Sequence, residues 1–516
     1  MKRVKLYVAF FLISGIISGQ IDRIGTPLSW TTGQDFISHS LWQTLTSPDI
    51  DHLLFEDAVE TDKSRPYRFA YAHDVDYRLG MVGHWSNLQN GDRIWVLGID
   101  CPGAFAIGLT FSFLNLPRGS KIYIYSEDHL DYIGPITSKD NRNEQMGTPP
   151  VRGSRIILEY YEPHASRGMG DFHIQHITRS YRDLKNTATF INSQCMELVE
   201  PELLSTELNS AASSVMMMLV DKGQRIATAT LLNNTSNDAT PYAMTSANAI
   251  IGDPSSWIFL LNIKGGACYF NNSGCNVSAL CGAYITETDP TNGVTLIRLR
   301  NSPKHSWNAY YSGWRLSVAP VNSDYTCIQH ALGLPQSIAS YDGHFVSSTM
   351  NGVSTKALEP AENGATFPGS IGSPLFDHDM NVIGIFVGGN SNCNSQGQDH
   401  FVYLSSSWNK FHNYLDPFVV AADRLEGLHP KIIPSAEQEK KFNVFFFPNP
   451  ASEWIYIQNE SDNAINEVRI TDASGRLVRK LRPTVPTINV NDLPEGIYAI
   501  SFVSGNDVVT HSLLIR

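Results

Sequence analysis

A loop rich in glycine and serine, Gly369–Pro374, has residue types that suit acyl-transfer chemistry. Two glycines and a proline within six residues predict a tight turn, and the apolar run Val382–Val387 that follows predicts a buried strand. Consecutive backbone N–H groups in such a turn can point at a developing oxyanion while a hydroxyl of the same turn attacks the carbonyl carbon. Ser370 and Ser373 carry hydroxyls, whereas Ile371 between them carries none.

The overall composition is that of a globular protein with an acidic balance. The chain has 516 residues, of which 42% are hydrophobic and 17% are charged, and its formal net charge is −12. A chain of this length predicts several domains, each large enough to bury a core. The negative charge disfavours nucleic acid or an anionic membrane surface as the main partner.

Residues 1–19 have the pattern of a secretory signal peptide. Met1–Lys5 is basic, Leu6–Ile17 is apolar, and the small residues Ser18 and Gly19 follow. The apolar run is too short for a spanning helix, and no later run reaches the roughly 18 apolar residues that such a helix requires. We therefore predict export, with cleavage after Gly19.

The cysteine content predicts disulfides rather than a metal site. The predicted mature chain contains Cys101, Cys195, Cys268, Cys275, Cys281, Cys327 and Cys393. In a secreted protein, the six cysteines from Cys195 to Cys393 predict disulfides, whose pairing the sequence leaves open. Cys101 is then the odd one, which we expect to be buried as a small apolar residue. Because no C-x-x-C pair is present, the spacing predicts no metal site, and we predict no cofactor.

Strand patterns separated by turns predict an all-β chain with three structured parts. Residues 20–183 contain short runs of β-branched and aromatic residues between glycine and proline turns, which predicts an antiparallel β-sandwich. Residues 184–415 contain a second set of such strands. Residues 416–441 are rich in proline and charge, which predicts a linker. Alternating apolar and polar residues in 442–516 predict a small β-sandwich.

Three stretches of the second part carry a family resemblance: Thr228–Ala249, Gly293–Leu299 and Gly369–Gly389. They resemble the matching segments of the lysyl-endopeptidase-like group of trypsin-fold serine peptidases that Bacteroidota secrete. Residues 20–183 are similar to the β-rich region that precedes such peptidase domains. The resemblance implies a trypsin-like double β-barrel for residues 184–415 and, in an intact family member, serine endopeptidase activity.

The C-terminal residues 442–516 resemble the type A sorting domain of the type IX secretion system. Its motifs occur in order as Pro448, Asn449 and Pro450, then Gly475 and Arg476, then Gly496 and Tyr498. The resemblance implies an Ig-like β-sandwich and export to the outer-membrane cell surface of a Gram-negative bacterium. It also implies handling by the type IX machinery and its sortase, with removal of this domain and attachment to lipopolysaccharide as one outcome.

The family's Ser-His-Asp triad is degenerate in this chain. Asn248 stands at the histidine position, Gly293 at the aspartate position and Ile371 at the serine position. A serine peptidase needs an imidazole base, a carboxylate that fixes the tautomer of that base, and an attacking hydroxyl. None of the three side chains supplies its group. Ala249 also replaces the family's cysteine beside the histidine. We therefore predict no catalytic residues.

The loop formed by Gly369, Ser370, Ile371, Gly372 and Ser373 is expected to keep its shape as an oxyanion loop at a cleft. Ile371 is expected to line that cleft as an apolar contact. The leading hypothesis is a secreted, surface-associated peptidase homologue that has lost catalysis and acts as a binding or surface protein. Its cleft then takes a peptide or a host protein.

Two alternatives to this hypothesis stay open. In the first, the chain is an active trypsin-like or lysyl endopeptidase with a displaced nucleophile or base. Ser370 and Ser373 are the neighbouring hydroxyls, and His330 and His378 are the nearest histidines in the sequence. In the second, the chain is a structural or antigenic surface component with no ligand in its cleft.

Overall fold

The computed structural model describes most of the chain, and the structure below is that of the described residues. They are 20–21, 25–32, 42–60, 62–184, 197–265, 278–317, 324–342, 345–359, 364–391, 397–420, 423–430, 444–447, 451–459, 465–472, 475–482, 487–504 and 507–516. The chain divides into two compact units, one up to Pro430 and one from Lys431. The predicted signal peptide lies outside the described residues. The finer domain boundaries remain predictions.

Short strands dominate the first part of the larger unit. In chain order they are β1 (Gln20–Ile21), β2 (Trp42–Thr44), β3 (Tyr67–Arg68), β4 (Ala70–Arg78), β5 (His84–Asn87), β6 (Arg93–Asp100), β7 (Ala106–Asn115), β8 (Lys121–Ser126), β9 (Tyr132–Ile136), β10 (Met146–Gly147), β11 (Val151–Arg152), β12 (Arg155–Glu162) and β13 (Asp171–Ser180). Two helices, α1 (Leu28–Thr32) and α2 (Ile50–Val59), precede most of them. Asp49 is the N-cap of α2, because its side chain accepts the backbone N–H of His52 at 3.0 Å.

All of these strands except β1 and β3 form two sheets that share one apolar core. One sheet has the order β10-β7-β13-β4, with β11 also on β7, and the other has the order β2-β6-β12-β8-β9, with β5 also on β6. Leu97 and Ile99 of one sheet and Leu109 and Phe111 of the other belong to the same buried cluster. Two sheets that bury their apolar faces against each other make a β-sandwich.

Strands also dominate the second part of the larger unit. They are β14 (Glu197–Leu198), β15 (Val215–Val220), β16 (Arg225–Leu231), β17 (Tyr242–Ser246), β18 (Ile258–Leu261), β19 (Ser278–Cys281), β20 (Ala283–Asp289), β21 (Val294–Leu299), β22 (Trp314–Arg315), β23 (Asp324–Gln329), β24 (Ser337–Asp342), β25 (Val346–Met350), β26 (Val353–Leu358), β27 (Pro374–Phe376), β28 (Val382–Gly389), β29 (Asp399–Tyr403) and β30 (Arg424–Leu425). The helices are α3 (Thr206–Ala212) and α4 (Trp408–Leu415).

Short 3₁₀ helices connect several strands of the larger unit. They are Ser138–Asp140, His164–Ser166, Ala247–Ala249, Pro254–Ser256, His305–Trp307, Ala331–Gly333 and Leu404–Ser407. Ser246 is the N-cap of the 3₁₀ helix Ala247–Ala249, because its side-chain oxygen accepts the backbone N–H of Asn248 at 3.2 Å. This cap fixes the chain direction immediately after strand β17.

The second part is built on two further sheets. One has the order β1-β19-β18-β15-β16-β17-β21-β20, with β3 also on β16. The other contains β14-β24-β23-β27-β28-β29-β26-β25, with β22 on β28. Strand β15 is buried along its whole length, and β28 begins at the apolar run predicted from Val382. The all-β fold class predicted from the sequence is confirmed.

The N-terminal part supplies strands to the sheets of the second part. Gln20 and Ile21 of β1 pair with Leu280 and Ala279, and β3 pairs with the start of β16. Because backbone ladders cross between the two parts, they fold as one compact unit up to Pro430. The segment that leads into β3 is thereby placed next to the loops of the second part.

The C-terminal unit is a small β-sandwich with its own core. Its strands are β31 (Val444–Phe447), β32 (Trp454–Asn459), β33 (Glu467–Asp472), β34 (Leu477–Leu481), β35 (Thr487–Asn489), β36 (Gly496–Ser504) and β37 (Asp507–Ile515). They form one sheet of order β31-β32-β35 and another of order β34-β33-β36-β37. Alternate residues of β36, such as Ile500 and Phe502, are fully buried, as expected for a strand with one face on a core.

The described cysteines bear on the expectation of disulfides. Cys101, Cys281 and Cys327 are buried free thiols, so the expectation of disulfides is wrong for Cys281 and Cys327. Burial in apolar surroundings explains their placement, since a thiol packs as a small hydrophobe. Cys195, Cys268, Cys275 and Cys393 lie outside the described residues.

Across the part of the chain that the structure describes, no helix is both long and apolar enough to span a bilayer.

Candidate functional site

The loop that carries the serine-peptidase pattern keeps its tight geometry. Gly369 and Gly372 have φ values of 98° and 87°, in the left-handed region that favours glycine. The Gly372 N–H donates to the Phe386 carbonyl at 3.0 Å, and the Ser373 N–H donates to the Ser370 carbonyl at 3.0 Å. These bonds tie the loop to strand β28 and to itself, so that its shape is held by the backbone.

Ile371 points into the protein rather than into an open cleft. Its side chain is fully buried in an apolar cluster that includes Ala229 and Ala249. Its carbonyl accepts the Thr228 N–H at 2.9 Å. The expectation that Ile371 lines the cleft is therefore wrong. The loop turns the apolar side chain toward the core of the sheet that contains β16, where burial removes it from water.

The other two degenerate positions lie close to this loop. The N–H of Ala247, which precedes Asn248, donates to the Gly293 carbonyl at 2.8 Å, and the Asn248 side chain is exposed. A Cβ atom built on Gly372 would lie 3.1 Å from the Ser246 backbone nitrogen. The structure thus brings the segments of Asn248, Gly293 and Ile371 together around Ser246.

The two serines of the loop are buried. Ser370 is fully buried, and its Oγ accepts the Phe367 N–H at 3.1 Å and donates to Gln329 Oε1 at 2.5 Å. Ser373 is also fully buried, and its carbonyl accepts the Phe386 N–H at 2.8 Å. A nucleophile must reach a substrate carbonyl and be hydrogen-bonded to a base. Burial and the amide partner of Ser370 give these serines a structural role.

The backbone N–H groups of the loop differ in their hydrogen bonding. The N–H groups of Ser370, Gly372 and Ser373 donate to the carbonyls of Phe367, Phe386 and Ser370. The N–H groups of Gly369 and Ile371 make no hydrogen bond to any of the described residues. Unpaired N–H donors on alternate residues of a tight loop are the arrangement that stabilises an oxyanion. These two N–H groups are the donors that the predicted oxyanion loop would use, and that role stays a prediction.

The candidate replacement bases are poorly placed for catalysis. His330 is fully buried, and its Nδ1–H donates to the Leu334 carbonyl at 3.1 Å. Burial lowers the pKa of His330 to about 4. His378 is exposed in the turn before β28. Asp289 accepts the Thr291 N–H at 3.1 Å and an Asn292 side-chain N–H at 2.8 Å, so its carboxylate serves its own turn.

The buried His330 predicts a pH-dependent stability. Its pKa is lowered to about 4 in the folded state, against about 6.5 in an unfolded chain. As the pH falls, the unfolded state binds a proton first, so stability present above pH 6.5 is lost progressively toward pH 4. Between pH 7 and pH 5 we expect His330 to account for a loss of about 2 kcal/mol, and this contribution to be absent in His330→Gln. Urea unfolding of both proteins at pH 7 and pH 5 measures it, and parallel pH profiles would contradict it.

A second polar site, which no local sequence pattern marks, lies beside the loop. Lys63 is buried, and its Nζ donates to Thr366 Oγ1 at 2.9 Å, to Ser391 Oγ at 3.1 Å and to the Ser391 carbonyl. Asp399 Oδ1 lies 3.8 Å from the same nitrogen. Burial lowers the pKa of Lys63, and the Asp399 carboxylate opposes that shift.

The carboxylate of Asp399 is held by its own hydrogen bonds. It is fully buried and accepts hydroxyl groups of Thr366 at 2.8 Å, Ser391 at 2.7 Å and Tyr341 at 2.7 Å. A Cβ atom on Gly389 would collide with Asp399 Oδ1, so only glycine fits there. These contacts hold the Asp399 carboxylate in one position beside Lys63 Nζ.

Comparison with known families assigns both units. The family model of the lysyl endopeptidase C-terminal domain matches residues 190–403, and the model of the secretion system C-terminal sorting domain matches residues 445–516. Residues 190–403 are therefore similar to the C-terminal domain of lysyl endopeptidases. This lysyl endopeptidase domain contains Asn248, Gly293 and Ile371, and it is followed by a sorting domain of the type IX secretion system.

Several solved structures resemble part of this chain remotely. Human heparin binding protein is 12% identical with a TM-score of 0.31, and the match covers 42% of this chain and 92% of that protein. The Rv3671c protease of M. tuberculosis in its active form is 12% identical with a TM-score of 0.28, covering 42% and 86%. The HtrA-type protease AlgW with a tripeptide is 12% identical with a TM-score of 0.31, covering 60% and 95%.

The sorting domain shows its motif residues in defined turns. The Arg476 N–H and Nε donate to the Asp472 carboxylate at 3.1 Å and 3.0 Å, and Gly475 between them has a φ of 82°. Gly496 begins β36, and the Tyr498 hydroxyl donates to the Pro494 carbonyl at 2.8 Å. Pro448, Asn449 and Pro450 lie outside the described residues. The domain indicates secretion and association with the cell surface or outer membrane.

Proposed function

We propose that this protein is a secreted lysyl endopeptidase homologue that has lost catalysis and acts at the cell surface as a binding protein. The observation that carries the proposal is Ile371, a fully buried apolar residue at the position of the family's nucleophile. An isoleucine buried in a core presents no group to a substrate. Asn248 and Gly293, at the positions of the base and the carboxylate, add two further losses.

The surroundings of the loop support the same proposal. Ser370 already donates to Gln329, and an amide oxygen is not a base that removes a proton from a hydroxyl. Burial lowers the pKa of His330 to about 4, so its ring is neutral at pH 7. Its Nδ1–H is donated to the Leu334 carbonyl, so this nitrogen does not serve as a base. A retained oxyanion geometry gives roughly 10³–10⁴-fold acceleration over water without a triad, which is too little for useful proteolysis.

The export route supplies the partners of this function. The sorting domain implies handling by the type IX secretion machinery. A sortase that removes the domain, and lipopolysaccharide as the attachment point, are part of the proposal. In the proposed role, the retained cleft binds a peptide or a host protein without cleaving it.

The purified chain lacking the signal peptide should neither hydrolyse peptide esters nor react with a fluorophosphonate probe. The physical reason is that Ser370 and Ser373 are buried and have no activated base. The measurement is probe labelling followed by gel fluorescence, with Ser370→Ala and Ser373→Ala as matched variants and a heat-denatured sample as background.

Labelling that disappears in one of the two serine variants would overturn the proposal and favour the displaced-nucleophile alternative. Hydrolysis of a lysyl ester that persists in both variants would also contradict it. A chain that shows neither reaction and binds no peptide or host protein would instead fit a structural or antigenic surface role.

A further inference from the structure

Lys63 is unusual among the lysines of the chain. It is the only lysine among the buried residues of the described part, with an exposed fraction of 6%. Burying an ammonium group without partners costs several kcal/mol, roughly, so a buried lysine requires a site built for it. The acceptors are the Thr366 hydroxyl and both oxygens of Ser391, with the Asp399 carboxylate behind them.

The walls of this pocket come from the lysyl endopeptidase domain, whereas the lysine does not. Thr366 and Phe367 belong to the segment before the Gly369 loop, and Gly389, Ser391 and Asp399 belong to β28, β29 and their connection. The Phe367 ring centroid lies 5.9 Å from Lys63 Nζ, within the range of a cation–π contact. Lys63 comes from the N-terminal part, more than 300 residues away in sequence from Thr366.

The backbone around Lys63 continues across the same face. Ser64 is buried, and its Cβ lies 3.0 Å from the place that a Cβ on Gly388 would take. The Tyr67 Cβ lies 3.5 Å from the equivalent point on Gly369. The Pro66 carbonyl accepts Arg225 Nη1 at 3.1 Å, and Tyr67–Arg68 pairs with β16. The segment 62–68 therefore passes the end of β28 and the oxyanion loop in one direction.

We propose that segment 62–68 occupies the cleft of the lysyl endopeptidase domain as an intramolecular ligand, with the Lys63 side chain in the pocket that ends at Asp399. The chain thus holds its own binding site closed. Displacement of this segment opens the pocket to the lysine side chain of another peptide. The inference deepens the proposed binding function and rests on it for the biological role, while the occupancy by Lys63 stands on the contacts alone.

The ion pairs of Arg65 stay on the N-terminal side and do not join the segment to the walls of the pocket. Arg65 is exposed and pairs with Glu60 at 3.1 Å and Asp62 at 3.6 Å, contacts that contribute little to stability at a surface. The cavity beside the segment has a volume of about 830 Å³ and is lined by both sides, including Leu54, Phe367 and Ser391. Without Lys63, the hydroxyl groups of Thr366, Ser391 and Tyr341 would still hydrogen-bond to the Asp399 carboxylate.

Chemical acetylation of the unmodified full chain tests the occupancy. In the native protein, acetic anhydride should modify Lys63 at least about 100-fold more slowly than the exposed Lys121, because Lys63 reacts only after local opening of the segment. Mass spectrometry of the digested protein measures both rates. In denaturant the two lysines should react alike. Equal rates in the native protein would overturn the proposal.

Peptide binding by the full chain tests the regulation. The probe is a fluorescein-labelled Ala-Ala-Lys-Ala amide, and the control peptide carries norleucine in place of lysine. Lys63→Met should bind the lysyl probe at least about 10-fold more tightly than the wild-type chain, because the apparent affinity of a site falls with the fraction that is open. Lys121→Met should bind like the wild type, and adding Asp399→Asn to Lys63→Met should abolish the gain.

Each outcome has a distinct meaning. Equal binding by the wild type and Lys63→Met, no binding by Lys63→Met, or equal binding of the norleucine peptide would overturn the closed-site proposal. Cleavage of the probe by Lys63→Met would overturn the loss of catalysis instead, and it would leave the occupancy of the pocket intact. The acetylation rates remain decisive if Lys63→Met fails to fold.

Discussion

Deletion of residues 442–516 should leave the protein in the periplasm and abolish its display at the cell surface. The removed residues include the whole match to the sorting domain. Because the C-terminal unit has its own buried core and the rest of the chain forms a separate compact unit, the truncated protein should still fold. The measurement is the distribution of the protein between periplasmic and surface fractions, with protease accessibility on intact cells.

A matched full-length control separates export from folding of the sorting domain. Val508 is an exposed residue of β37, and Val508→Thr should be exported like the wild type because it changes only a surface side chain. Phe502→Ala removes a fully buried side chain of β36 and should reduce export, since core truncations of this kind cost about 3–5 kcal/mol. A truncated chain found at the surface would show that export does not depend on this domain.

Much of the fold follows from local patterns in the sequence. The apolar run that begins at Val382 predicts a buried strand, and the structure has β28 there, because such a run can satisfy its burial only inside a sheet. The sorting domain was also predictable, since its turns place Gly475 and Gly496 at positive φ, where few other residues are tolerated. The pattern of residues close together in the sequence determines these two features.

The features that sequence reasoning missed depend on distant contacts or on side-chain direction. Nothing local marks Lys63, because its partners Thr366 and Ser391 are contributed by a segment far along the chain. The position of Ile371 was predicted, but its burial was not, since the positive φ of Gly369 and Gly372 decides which way the side chain between them points. Disulfides are expected at Cys281 and Cys327 because a secreted protein meets an oxidising compartment. The compartment does not tell which residues surround each thiol, so their burial as free thiols could not be predicted.

The glycines of the loop should be required for the fold although the loop has no catalytic groups. A Cβ atom on Gly372 would collide with the Thr245 hydroxyl and the Thr228 carbonyl, and its φ is 87°. Gly372→Ala therefore combines backbone strain of about 1 kcal/mol with overpacking of about 1–3 kcal/mol. Calorimetry of the unfolding transition of the larger unit should show a clear decrease in its midpoint temperature.

Gly352→Ala is the control that isolates the collision from the strain. Gly352 has a similar φ of 82°, but a Cβ atom there meets nothing within 4 Å. Its substitution should lower the free energy of unfolding by the strain alone, so Gly372→Ala should cost about two to four times as much. Equal costs would mean that the loop yields to the added methyl group and that its close packing against Thr228 and Thr245 does not hold its shape. A larger loss of unfolding free energy in Gly372→Ala than in Gly352→Ala would instead explain why the loop keeps its glycines without catalytic groups. The glycines are needed to pack the two sheets of the domain.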